Sequence, residues 1–176
     1  MRKNTAFRVG NVEVSSGKFL LVAGPCVIED LAISVSTAKR VKKAAERLGV
    51  SYVFKSSFDK ANRTSVKHYR GPGLGRGLGI LKAVREEAGV PVVTDVHSWE
   101  QVEIAAKFVD MIQIPAYLCQ QTDLAVRAGR TGKPVNLKKG QFLSPYDMLK
   151  VAAKVESTGN RKILITERGT LFGYNN

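Results

Sequence analysis

Residues 90–117 read VPVVTDVHSWEQVEIAAKFVDMIQIPAY and contain one full structural period of the chain. VPVVTDV, 90–96, is a short apolar run rich in β-branched residues, the composition of a strand buried on both faces. Residues 98–108 then carry apolar positions at helical spacing. Ser98 stands where an N-cap belongs, with Gln101 three residues on, as in a capping box. MIQIPAY, 111–117, returns to a strand. Strand, helix and strand joined by short loops predict a βαβ crossover, and hence a parallel sheet.

Outward from this unit the same period recurs. Strand-like runs occur at FLLVAGPC (19–26), SYVFKSS (51–57), KPVNLKKG (133–140) and KILITERG (162–169). Helical patterns fill 31–48, 74–88, 121–129 and 144–156, with Ser144 as a further N-cap and Gly49, Gly89 and Gly159 where helices should stop. Ahead of them, residues 7–14 alternate around Gly10-Asn11 and predict an N-terminal hairpin.

An open α/β sheet gathers its ligand groups at one switch point, whereas a (β/α)8 TIM barrel brings together the C-terminal ends of all its strands. Here nearly every apolar run closes on a reactive or charged side chain: Cys26, Lys55 and Ser57, Asp95 and His97, Gln113, Lys138 and Lys139, Glu167 and Arg168. That pattern selects the barrel. Only about six βα units fit between the hairpin and Asn176, so residues 1–176 are expected to form a single, incomplete barrel domain.

The chain has 176 residues, with 28 Lys and Arg against 15 Asp and Glu, a formal net charge of +13. Nucleic acid is not the expected partner, because the basic residues are spread along the chain without aromatic interleaving or a helix-turn-helix, zinc-finger or RRM pattern. A phosphorylated small molecule suits the charge better. No apolar run reaches the roughly 18 residues of a membrane span. The N-terminus lacks the apolar stretch of a secretory signal. Two cysteines make no disulfide framework, and an exposed thiol survives best in a reducing compartment, so a cytoplasmic location is expected.

The densest motif is FKSSFDKANRTS, 54–65. Lys55, Lys60 and Arg63 offer cations for phosphate, Ser56, Ser57, Thr64 and Ser65 offer hydroxyls, and Asn62 can donate and accept towards a sugar. Asp59 is placed to pair locally and steady the loop. GPGLGRGLG, 71–79, matches neither GxGxxG nor the P-loop and reads as a flexible turn before a helix, with Arg70 and Arg76 near enough to touch an anion. Period-two alternation sends Lys138 and Lys139 to opposite sides, so only one faces the centre, and Glu167 and Arg168 obey the same constraint. The bland alternative for each is a rim salt bridge. Cys26 alone is weak evidence for a metal, which needs several ligands, and His68 and His97 make no local ligand pair with it. Cys119 and Trp99 are expected to pack.

Taken together, AGPC-x-IE, YVFKSSFDKANRTS, YRGPGL, TDVH, IQIPAYL, QTDL, VNLKKGQFLSP and ERGTLFGYNN resemble 3-deoxy-D-manno-octulosonate 8-phosphate synthase, in order from about residue 19 to the last residue. The resemblance implies a (β/α)8 barrel, a homotetramer, and condensation of phosphoenolpyruvate with arabinose 5-phosphate, with inorganic phosphate leaving by C–O cleavage. It assigns phosphoenolpyruvate to Lys55, Lys60, Lys138, Gln141 and Arg168, and the pentose phosphate to Asn62, Arg63 and Thr64. Lys60, Asp95 and His97 become the catalytic set. A cysteine in AGPC resembles the metal-dependent branch, in which Cys26 would help to hold a divalent transition metal. The family's other metal ligands lie beyond the FGYNN segment. Gln120 stands where the family has an arginine that reaches a neighbouring subunit's pentose phosphate. The alternative reading is a truncated, inactive barrel fragment that at most binds phosphorylated anions.

Overall fold

The computed structural model describes residues 6–171 and 173. They fall into two compact units. The first runs to Asp95 and adds Lys107–Met111; the second holds Val96–Ala106 and continues from Ile112.

The first unit opens with the expected hairpin. β1 (Phe7–Val9) pairs antiparallel with β2 (Val12–Val14), Phe7 opposite Val14. β3 (Leu20–Ala23), α1 (Leu31–Arg47), β4 (Ser51–Lys55), α2 (Leu74–Ala88) and β5 (Val92–Asp95) follow. Leu20 pairs in parallel with Ser51, and Phe54 with Val92. α1 begins where the Asp30 carboxylate accepts the Ile33 N–H at 2.7 Å, an N-cap that the sequence reading did not single out. α1 turns Val35, Ala38 and Ala45 inward. Lys42, half-buried, donates to the Ala88 carbonyl at 2.9 Å and so caps the C-terminus of α2.

The glycine run differs from its reading as a flexible turn, because most of it is helix. Gly71 has φ +124°, and a Cβ there would lie 2.3 Å from the Phe58 carbonyl oxygen. Gly77, already inside α2, would place a Cβ 2.3 Å from Phe58 Cβ. These two glycines let α2 approach the segment after β4 closely.

In and around the second unit lie α3 (Trp99–Ala105), β6 (Met111–Ile114), α4 (Thr122–Arg130), β7 (Val135–Lys138), α5 (Met148–Glu156) and β8 (Ile163–Thr166). Short 3-10 turns at Ala116–Leu118 and Pro145–Asp147 precede α4 and α5. Gln113 pairs in parallel with Asn136, and Lys138 with Thr166. The Ser98 hydroxyl caps α3 at the Gln101 N–H, but Gln101 Oε1 accepts from the His97 N–H at 2.8 Å. Trp99 is half-exposed, with the Arg127 guanidinium 5.3 Å from its ring centroid. Cys119 is fully buried.

The six-stranded sheet has the order β3-β4-β5-β6-β7-β8. That order never reverses, so it has no switch point of the doubly wound kind; it is the sequential order of a (β/α) barrel. β5 and β6 are buried along their whole length, which explains their near-continuous apolar sequences. Every strand is shorter than its apolar run, and the polar residues that close the runs sit at or just beyond the strand ends. Among the described residues no helix is long and apolar enough to cross a membrane.

Candidate functional site

In the first unit the KSS segment leaves β4 still tied to its neighbours. The Ser56 N–H donates to the Val93 carbonyl, its hydroxyl to the Pro25 carbonyl at 2.8 Å, and the Ser57 carbonyl accepts from Ile28 at 2.9 Å. Ser57 is thereby fully buried, between the end of β4 and the end of β5. Its Oγ accepts from Lys55 Nζ at 3.0 Å and from Lys60 Nζ at 2.9 Å, and donates to Asp95 Oδ2 in a short hydrogen bond. Asp95 Oδ2 lies 3.0 Å from Lys55 Nζ and 3.9 Å from Lys60 Nζ. Two ammonium groups thus share one buried carboxylate, a local surplus of positive charge suited to an anion.

That crowding perturbs the titrations. Burial, then the like charge of Lys55, pull the Lys60 pKa below the ordinary lysine value, against the opposing pull of Asp95 and Cys26. Cys26, exposed just after β3, feels the reverse balance. Partial burial pushes its thiol up, but the charge and hydrogen bond of Lys60, with Lys55 and Arg63, outweigh it and leave the pKa lowered.

Asn62, Arg63 and Thr64 lie exposed on the following loop, where Arg63 Nε donates to the Tyr69 carbonyl at 3.2 Å. The expected local partner of Asp59 is Arg70, which clasps it in a fork at 2.9 and 2.7 Å. Arg70 is therefore a brace of the loop rather than an anion contact.

Among the described residues no three His, Cys, Asp or Glu side chains gather as a metal site, and the charged groups acting on Cys26 are cations. One thiolate ringed by positive charge does not fit a divalent ion unaided, since a stable site needs roughly three or four protein ligands.

In the second unit, alternation separates the two lysines as expected. Lys138 ends β7 half-buried, while Lys139 is 1% exposed. Lys139 Nζ donates to the carbonyls of Gly140, Leu143 and Gly169 at 3.1, 2.9 and 2.7 Å, and stands 3.4 Å from Glu167. Glu167 accepts the N–H groups of Arg168 and Gly169 at 2.9 and 2.7 Å. Desolvation pushes its pKa up, but those donors and Lys139 together outweigh it and leave the carboxyl below the ordinary range. Lys139 and Glu167 are thus the pair that shapes the loops, and Arg168 is exposed beside them. Gln141 is half-buried and its carbonyl accepts from Leu171 at 3.0 Å. His97 Nδ1 lies 3.3 Å from Gln101 Oε1.

Asn136, buried, and Thr166, half-buried, escaped the sequence reading, whereas Gln113 did not. Asn136 Nδ2 donates to Gln113 Oε1 at 2.8 Å, and Thr166 Oγ1 donates to Asn136 Oδ1 at 2.9 Å. The signal was present, since an asparagine inside the apolar run PVNLKK needs a polar partner.

Residues 6–176 match the DAHP synthetase I family. A protein of Syntrophotalea carbinolica named 2-dehydro-3-deoxyphosphooctonate aldolase is 60% identical over 156 residues, covering 89% of this chain and 56% of that protein. Proteins of the same name from Geotalea uraniireducens and Geobacter sulfurreducens are 55% and 52% identical, each match covering 96% of this chain and 62% of the relative. The chain therefore spans about three fifths of the length of these curated relatives. A match that begins in the hairpin and runs through every strand of the sheet leaves one assignment: the chain belongs to the DAHP synthetase I family.

Proposed function

We propose that this protein condenses phosphoenolpyruvate with arabinose 5-phosphate to give 3-deoxy-D-manno-octulosonate 8-phosphate and inorganic phosphate. The aldolase name of its relatives describes the same carbon–carbon bond from the product side. The observation that carries the reading is the clustering of Lys55 and Lys60 on Ser57 and Asp95, at the strand ends where a barrel keeps its chemistry. In the reaction the enol carbon joins the aldehyde carbon, water supplies an oxygen, and phosphate leaves by C–O cleavage. Two phosphorylated substrates repel each other, and fixed cations offset that repulsion while holding the reacting carbons in place.

On this reading Lys55, Lys60, Lys138, Gln141 and Arg168 bind phosphoenolpyruvate. Asn62, Arg63 and Thr64 bind the pentose phosphate, and Lys60, Asp95 and His97 handle protons and orientation. Cys26 as one ligand of a divalent transition metal belongs to the same proposal, and it requires ligands other than the described residues. A homotetramer rests on the family resemblance, and a cytoplasmic location is supported by the exposed Cys26 thiol.

The test is calorimetric binding of phosphoenolpyruvate, with Lys138→Ala and Arg168→Ala alongside. Losing one charge against a buried multivalent anion typically costs roughly 2–5 kcal/mol, so each variant should bind at least about thirtyfold more weakly. Equal binding by wild type and variants would reject the site assignment. Phosphate release on adding arabinose 5-phosphate then separates catalysis from anion binding alone.

A further inference from the structure

Thr166, Asn136 and Gln113 form a ladder of side-chain hydrogen bonds across β8, β7 and β6. Asn136 and Gln113 are each 4% exposed. Burying amides is costly unless their polar atoms are paired, so the ladder is a committed structure rather than a chance contact. It is also directional: the Thr166 hydroxyl donates to Asn136 Oδ1, which leaves Asn136 Nδ2 to donate onward to Gln113 Oε1. The backbone carbonyl of Gln113 is held in turn, at 3.1 Å, by the Val96 N–H.

The placement along the strands gives the ladder its meaning. Asn136 precedes Lys138 by two residues, and Thr166 precedes Arg168 by two. Period-two alternation puts Asn136 on the same face of β7 as Lys138. Gln113 stands opposite Asn136 one step below Lys138, and Thr166 stands opposite Lys138 itself, so the ladder reaches up to the level of the cations assigned to phosphoenolpyruvate.

We propose that Asn136 and Thr166 are positioning residues for phosphoenolpyruvate. Through the Gln113 amide they fix the lateral spacing of β6, β7 and β8, and so hold Lys138 and Arg168 where a single anion can meet both. The proposal rests on the functional reading above, and it concerns residues to which that reading gives no role.

The experiment compares wild type with Thr166→Val, which keeps the shape and loses the donor, and Thr166→Ser, which keeps the donor. One readout needs no ligand: hydrogen exchange of the Asn136 and Gln113 side-chain amides, followed by NMR. The other is phosphoenolpyruvate affinity, with KM and kcat wherever turnover is observed. Thr166→Val is expected to speed exchange of both amides, and to weaken phosphoenolpyruvate binding or raise KM by about fivefold to tenfold, the scale of one neutral hydrogen bond, with kcat within about twofold. Thr166→Ser is expected to restore both readouts. Unchanged Gln113 exchange in Thr166→Val would overturn the coupling. Faster exchange with unchanged affinity, or a fall in kcat alone, would overturn the positioning role. Wild-type protein that does not bind phosphoenolpyruvate removes the functional reading and the positioning role with it, while the exchange readout still decides whether the ladder couples the strands.

Discussion

Ser57 gives Lys55, Lys60 and Asp95 a common oxygen, and its removal tests how much the cluster depends on it. Ser57→Ala leaves two lysine donors and a carboxylate short of a buried partner, so unfolding stability should fall by about 1–3 kcal/mol. Urea titration checks this, and a loss below about 0.5 kcal/mol would show that the lysines and Asp95 do without the hydroxyl. Cys26 is a second residue-scale test, in metal-free protein. Its folded pKa is lowered, so alkylation should set in at lower pH than for an ordinary thiol, and Lys60→Ala should move the onset upward. A depressed folded pKa means that the unfolded chain holds more protons across the interval up to the ordinary thiol value. Stability due to Cys26 therefore rises with pH through that window and is lost as pH falls through the folded value. Cys26→Ser should flatten the rise, as denaturant titrations at several pH values would show. The sequence made the cations of this site legible, because they end apolar runs. It did not reveal that Ser57 binds them together, since SerSer after a lysine looks the same whether its hydroxyls meet a ligand or a buried aspartate.

At the scale of elements, periodicity and caps located the strands and helices to within a few residues, because each apolar run faces a core that demands it. The N-cap Asp30 was missed because the helical pattern was counted from its first apolar residue rather than from the polar residue before it. Alternation separated Lys138 from Lys139 without deciding which one turns inward. That choice is made by the carbonyls of Leu143 and Gly169, which arrive from other loops. The glycines of α2 were ambiguous for a related reason: their partner, Phe58, lies on another segment. Alanine substitutions separate their roles. Gly75 and Gly79 have nothing within 4 Å of a built Cβ, so Ala at either should stabilise the helix by about 0.5–1 kcal/mol. Gly77→Ala gains the same propensity but drives a methyl into Phe58, and overpacking of about 1–3 kcal/mol should leave it less stable. Thermal melts of the three variants check the order, and a Gly77→Ala protein that melts higher would contradict it.

For the molecule as a whole, the formal charge of +13 is large for 176 residues and is spread over the chain. Such a field draws small anions in and is screened by salt. Phosphoenolpyruvate affinity should accordingly fall as ionic strength rises from about 0.05 M to about 0.5 M, where the Debye length shortens from above 10 Å to below 5 Å. Affinity independent of salt would mean that only the fixed local cations matter. The unreversed strand order has a consequence of a different kind. Each strand from β4 onward lies beside the strand that immediately precedes it in the chain. A chain leaving the ribosome therefore always finds the partner of its newest strand already made. The hairpin and the β3–α1–β4 unit come first, and synthesis and assembly can advance in the same direction without waiting for a distant segment.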